Sequence, residues 1–380
     1  GIPTKLIGRK NTLIWVGILY LISAVGSGLA QDPYSFSFFR FIGGIGVGAS
    51  TVAAPAYISE ISSAHSRGRL VALYQFNIVF GILLAFISNY LLSGIGGAND
   101  WRFMLGIEAI PAALYCLLIF GVPKSPRWLI IEKNDEASAL ATLKLIHENE
   151  LDALKELQSI KDHNTVESRS SNLFSGAFKK PLTLAFLLAF FNQLSGINFI
   201  LYYAPVILEK AGFASSDSLL SSISIGGTNL IFTFVGVYLI DRVGRKNLMY
   251  FGSIGYIISL SMVAYGFKTD ASATFNLTFI LVFIASHAIG QGAVIWVFIS
   301  EIFPNSVRAS GQAWGTGTHW VFAALITMLG EVVIDTFPSW TIFAFFSFFM
   351  VLQLLFTHFM MPETKGVSLE KLQETLTTKV

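Results

Sequence analysis

One cysteine, Cys116, stands in 380 residues, which leaves no disulfide framework and no CxxC metal or redox site. Charge is scarce as well: 13% of residues are Asp, Glu, Lys or Arg, against roughly 25% in an ordinary soluble domain. Neither sign prevails, with 25 Lys and Arg against 23 Asp and Glu, so nothing calls for a nucleic-acid partner. The apolar runs contain no HExxH, no GxSxG and no paired catalytic aspartates, so neither a metal, a cofactor nor an enzymatic reaction is expected. What fills the chain is 53% hydrophobic residues, with 33 Gly, 34 Phe and a mean hydropathy of +0.64. That composition suits helices packed closely in a lipid bilayer, where Gly is commoner than in soluble helices.

About 30 Å of hydrocarbon requires roughly 20 apolar residues of helix. Ten predominantly apolar runs of that length occur, near residues 12–30, 35–61, 70–92, 103–122, 181–209, 219–241, 246–267, 276–303, 308–337 and 338–361. They are too long for barrel strands of about 10 residues and show no period-2 alternation, so helices are predicted. Alternate loops, taken from residues 1–11 onward and including 123–180 and the tail from 362, hold 21 of the 25 Lys and Arg. By the positive-inside rule those loops and the C-terminus are expected in the cytoplasm, in a multi-pass protein of the inner membrane.

Three motifs recur at nearly one offset. GRKN at Gly8–Asn11 returns at Gly244–Asn247, 236 residues on. YISEI (Tyr57, Glu60) with Arg67 following returns as FISEI (Phe298, Glu301) with Arg308, 241 on. PKSPRW at Pro123 is echoed by PETKG at Pro362, 239 on. The chain thus reads as two related halves: residues 1–122, a cytoplasmic loop at 123–180 with amphipathic helices, a six-helix half at 181–361, and a tail at 362–380. Two helices precede GRKN in the second half, so about 55 residues holding two helices are expected to precede the first copy. The expected intact architecture is two six-helix halves about an axis along the membrane normal, with ten spans in the present chain. Gly44 and Gly48 form a GxxxG pattern, expected to pack helices closely.

RFIGGIGVG, YISEI, PKSPRW, NQLSGINFILYYAP, IDRVGRK, IWVFISEIFP and PETKG, in this order, resemble the sugar porter family of the major facilitator superfamily along essentially the whole chain. That resemblance implies the major facilitator fold and secondary transport of a monosaccharide by alternating access, not catalysis. It also implies the lipid bilayer, the sugar and protons as partners, with no cofactor. A monomer is the working expectation.

A neutral polyol requires directional donors and acceptors plus flat apolar faces, which amides and indoles supply. Asn192, Gln193, Asn198, Tyr202, Asn229, Trp296, His319 and Trp320 concentrate at mid-span in the second half, and Gln75 lies in the first. By resemblance, Gln75, Gln193, Asn198, Tyr202, Asn229, Gly292, Trp296 and Trp320 match sugar-contacting positions. By the same resemblance, Asn192 stands where the first Gln of a Gln pair is usual and His319 where an amide is frequent; His319 reads as a proton carrier or as a neutral hydrogen-bonding liner. His287 and His358 read as packing or interfacial residues.

Arg40 and Glu108 both sit a few residues inside the outer surface, where burying either alone costs about 2.5–3.5 kcal/mol for Arg, so an ion pair used in coupling is expected. Glu60 and Glu301 are expected to pair with arginines of the opposite half, among Arg9, Arg67, Arg245 and Arg308, and so to latch the inner gate in the outward-open state. Proton symport is the favoured reading. An uncoupled facilitator, a non-transporting receptor and a transporter of another organic solute are the alternatives.

Overall fold

The structure, a computed structural model, describes residues 4, 6–62, 67–147, 149–166, 173–304, 307–367, 372 and 375–376. Among these residues there is helix and no strand. The chain runs α1 (Arg9–Leu29), α2 (Pro33–Glu60), α3 (Arg67–Leu92), α4 (Asp100–Gly106), α5 (Ala109–Gly121), α6 (Pro126–Lys133), α7 (Glu136–Ile146) and α8 (Glu150–Val166). It continues through α9 (Lys179–Leu194), α10 (Ile197–Tyr202), α11 (Ala204–Lys210), α12 (Ser215–Val243), α13 (Arg245–Lys268), α14 (Ala273–Ile289), α15 (Gln291–Glu301), α16 (Arg308–Thr336) and α17 (Ser339–Phe359). Ten stretches among the described residues are long and apolar enough to cross a membrane, and they fall on the ten runs of the sequence.

Local chemistry sets the ends. Asp32 caps α2 by accepting from the backbone N–H groups of Tyr34 and Ser35 at 2.9 Å, with Pro33 at the first helical position. Three spans are interrupted. The run at 103–122 breaks between α4 and α5 beside Glu108, that at 276–303 breaks at Gly290, and that at 181–209 is three pieces, α9 to α11.

The chain divides into two compact units, Gly1–Ile78 with Ser88–Ser168, and Val79–Ile87 with Arg169–Val380. In the first, α1 packs against α2, α4 and α5. The close approach of α1 and α2 runs through Gly43, where an added Cβ would lie 2.4 Å from Ser23 Oγ, and Gly46, at 3.1 Å from the Tyr20 ring. Gly44 and Gly48 face open space, which corrects the GxxxG expectation: the packing glycines sit one residue earlier and two later than the first of that pair. Trp128, Leu129 and Ile130 of α6 make a small core with Ala139 of α7.

In the second unit α13 packs on α14 and α17, α12 on α14, and α9 on α16, around a core that includes Tyr256, Phe283, Phe298 and Phe343. Of the tail, Leu372 and Leu376 are buried in that core. Most of the VSLEKLQETL segment lies outside the described residues.

Candidate functional site

The break after α9 builds the site. Gly196 adopts φ +84°, a left-handed conformation that favours glycine, and Ser195 Oγ donates to the Asn192 carbonyl at 2.6 Å. The turn brings Asn198 of α10 back over α9, where its Nδ2 donates to Gln193 Oε1 at 3.0 Å. Gln193 is fully buried; its Nε2 donates to Asn192 Oδ1 at 3.0 Å and lies 3.0 Å from His319 Nδ1 on α16. The buried amide thus has its polar atoms matched, as burial in an apolar surrounding demands.

Aromatic rings continue the cluster. Trp296 of α15 meets the His319 ring at 5.0 Å with planes at 62°, and Trp320 meets it at 5.3 Å and 86°, both edge-on. Trp296 stays 37% exposed, so its indole has a free face. The indole nitrogen of Trp320 is buried without an acceptor among the described residues. Gly292 lies one turn before Trp296, and a Cβ there would press on His287, at 3.0 Å from its carbonyl oxygen.

Seven of the ten candidate substrate positions are thereby linked within one unit: Asn192, Gln193, Asn198, Gly292, Trp296, His319 and Trp320. Asn229 is buried on α12 and makes no hydrogen bond among the described residues. Tyr202 ends α10 with more than half its surface exposed, and Gln75 is half-buried on α3 in the other unit.

Two histidines read as packing residues are partnered. His287 Nδ1 lies 2.6 Å from the Tyr256 hydroxyl, and His358 Nδ1 lies 2.9 Å from the Tyr250 hydroxyl. Sequence reasoning also missed Gln291, which is fully buried and donates to the Leu188 carbonyl at 3.4 Å. The Gly-Gln-Gly at 290–292 carried a signal, since a polar residue flanked by glycines in mid-span marks a broken helix.

Arg40 and Glu108 meet, Nη1 to Oε2 at 3.3 Å, each about half exposed. The pairs that Glu60 and Glu301 make in this structure lie within each half, where partners from the opposite half were expected. Glu60 pairs with Arg9 of its own half at 2.9 Å and accepts from Ser125 Oγ at 2.5 Å. Glu301 pairs with Arg245 through two contacts, 2.8 and 3.2 Å, and accepts from Thr364 Oγ1 at 2.6 Å. The motifs that the repeat aligns therefore close onto each other inside each half. Among the described residues Arg308 makes no ion pair: its Nε donates to the Phe303 carbonyl at 3.3 Å, and one guanidinium nitrogen is buried without a partner. The Arg67 side chain lies outside the described residues.

The sequence profile described as "Sugar (and other) transporter" matches residues 1–376. The chain belongs to the sugar (and other) transporter family. Among relatives of this family, the D-xylose-proton symporter of Escherichia coli (strain K12) is 33% identical, the match covering 98% of this chain and 82% of that protein. The arabinose-proton symporter of Bacillus subtilis (strain 168) is 33% identical over 98% of this chain and 82% of its own length. Among solved structures, the inward-open xylose transporter of E. coli aligns with a TM-score of 0.86 at 32% identity, covering 99% of this chain and 84% of that one. The major facilitator proton:xylose symporter bound to 6-bromo-6-deoxy-D-glucose aligns at 0.80 and 31%, covering 98% and 84%. The fold is therefore that of a major facilitator transporter, a multi-pass membrane protein and not an enzyme.

Proposed function

We propose that this protein carries a monosaccharide across the cytoplasmic membrane by alternating access, as a sugar–proton symporter with its C-terminus in the cytoplasm. The observation that carries the reading is the Gln193-centred cluster. Three amides, an imidazole and two indoles meet without a formal charge, and one donor, the Trp320 N–H, has no acceptor among the described residues. A polyol presents O–H groups that accept as well as donate, together with C–H faces that lie against rings. A carboxylate substrate would instead call for an Arg or Lys beside these groups. The named substrates of the relatives, xylose and arabinose, support the same class.

Coupling is assigned to Arg40 and Glu108. Protonating Glu108 removes its attraction for Arg40, so the pair holds only while the carboxyl is ionised. One proton driven by 100 mV supplies about 2.3 kcal/mol, enough for about fiftyfold accumulation of a neutral sugar. The duplicated Arg–Glu–Ser/Thr braces are assigned to gating, each tying a half into one moving body.

Uptake of labelled D-xylose, L-arabinose and D-glucose into cells, with and without an uncoupler, tests this. Accumulation abolished by the uncoupler is expected. Equilibration indifferent to it would establish an uncoupled facilitator, and no uptake of any of the three would refute sugar transport. Gln193→Ala and Trp296→Ala are expected to abolish uptake while the protein still inserts.

A further inference from the structure

We infer that His287 is a sugar-contacting residue, whose Nε2, beside Gly292, accepts a substrate hydroxyl and whose tautomer is held by Tyr256 and Gln291. This rests on the sugar-transport reading above.

The helix break sets the stage. Gly290, with φ −84° and ψ −102°, lies outside helical geometry between α14 and α15, and a Cβ on it would stand 2.7 Å from the Gly252 Cα of α13. With the backbones this close, the polar side chains on either side of the break are driven into one buried row. Gln291 Nε2 donates to the Leu188 carbonyl at 3.4 Å, which turns its Oε1 toward Tyr256. An amide oxygen only accepts, so the Tyr256 hydroxyl donates to it, at 3.4 Å. The single proton of that hydroxyl is then used, and the short contact of 2.6 Å is made by His287 Nδ1–H donating to the Tyr256 oxygen. The opposite direction would leave Gln291 Oε1 buried without a donor, since Tyr256 and Gln291 are both fully buried.

Nδ1 therefore holds the ring proton and Nε2 presents a lone pair. No hydrogen bond reaches Nε2 among the described residues. It borders Gly292, where an added Cβ would lie 3.3 Å from it, and Gly292 is one turn from Trp296, whose indole meets His319. The site as otherwise described is rich in donors, including the Trp320 N–H, which has no acceptor among the described residues. An acceptor beside those donors is what a hydroxyl needs to be gripped from both its proton and its oxygen.

The test is uptake into vesicles by purified protein, using labelled D-xylose, D-glucose and L-arabinose with their monodeoxy analogues, for wild type, His287→Phe and Tyr256→Phe. Wild type is expected to lose about tenfold in apparent affinity when one particular hydroxyl is removed. His287→Phe is expected to lose about tenfold for the parent sugar and nothing further for that analogue. Tyr256→Phe, which leaves the imidazole in place but frees its tautomer, should give an intermediate loss at the same ring position. A position-by-position profile unchanged from wild type in His287→Phe overturns the assignment. Should His287→Phe fail to insert, an unchanged profile in Tyr256→Phe overturns it. Wild-type protein that carries none of these sugars refutes the transport reading itself, a result distinct from either variant outcome.

Discussion

The two halves close the same brace by different means. In each, a glycine at positive φ precedes the arginine, φ +86° at Gly8 and +96° at Gly244, and the arginine pairs with the glutamate of the FISEI-type motif. In each, a hydroxyl from the proline-headed motif, Ser125 or Thr364, donates to that glutamate. Beyond this the halves part. Against Gly8 lies the indole of Trp128, 2.9 Å from where a Cβ would stand, whereas against Gly244 lies the carboxylate of Glu363 at 2.6 Å. Glu363 accepts from the backbone N–H groups of Arg245 and Lys246, both at 3.0 Å, and so neutralises the positive end of α13. Lys124 stands at the matching place in the first half and supplies no such acceptor. Arg245 also reaches Asp241 at 3.1 Å and the Ile240 carbonyl. Duplication thus kept the Arg–Glu–hydroxyl core, while the means of seating the following helix diverged, aromatic packing in one half and charge in the other.

Arg245→Ala should break this comparison hardest. Removing one partner of a mostly buried pair costs about 3 kcal/mol or more, and thermal unfolding in detergent should show a larger drop for it than for Arg9→Ala, whose brace has fewer contacts. Gly244→Ala comes next, at about 1–3 kcal/mol for a side chain forced into the left-handed region. It also evicts the Glu363 carboxylate, so Gly8→Ala, which meets a ring able to slide, should lower the melting temperature less. Glu363→Gln is expected to cost about 1 kcal/mol, the worth of a helix cap, and Lys124→Gln close to nothing; equal effects would erase the proposed divergence.

The smallest effect concerns the loop of the first unit. Asp135 caps α7 by accepting from the Ser138 N–H at 3.0 Å, which holds its carboxyl below the usual carboxylate range. Its stabilising contribution is complete above the unfolded value near 4 and fades as pH falls through the lower folded value. Titration of the labelled Asp135 carboxyl by NMR should place its midpoint below that of an unstructured aspartate. Asp135→Asn should remove the pH dependence and leave transport unchanged.

Much of the candidate site was legible because mid-membrane amides are conspicuous. Asn192, Gln193 and Asn198 stand out in an apolar run, and the structure bonds Asn192 and Asn198 to Gln193, which alone of the three meets His319. The charge pairs were legible only as types. Glu60 and Glu301 announced partners, but arginines of both halves satisfied the same sequence logic, and the fold chose the nearer, same-half ones. His287 was illegible, because a lone imidazole on an apolar face says nothing of the tyrosine 31 residues earlier that faces it.

By itself the sequence determined the number and place of the spans and the twofold internal repeat. Both follow from run length and composition along the chain, since a helix rises about 1.5 Å per residue whatever surrounds it. The tertiary structure alone decided which glycines touch a neighbour, Gly43 and Gly46 rather than Gly44 and Gly48, and where the polar atoms of Gln193 and His287 find their partners. Helical periodicity says which residues share a face, but the direction of that face is set by the helices packed against it.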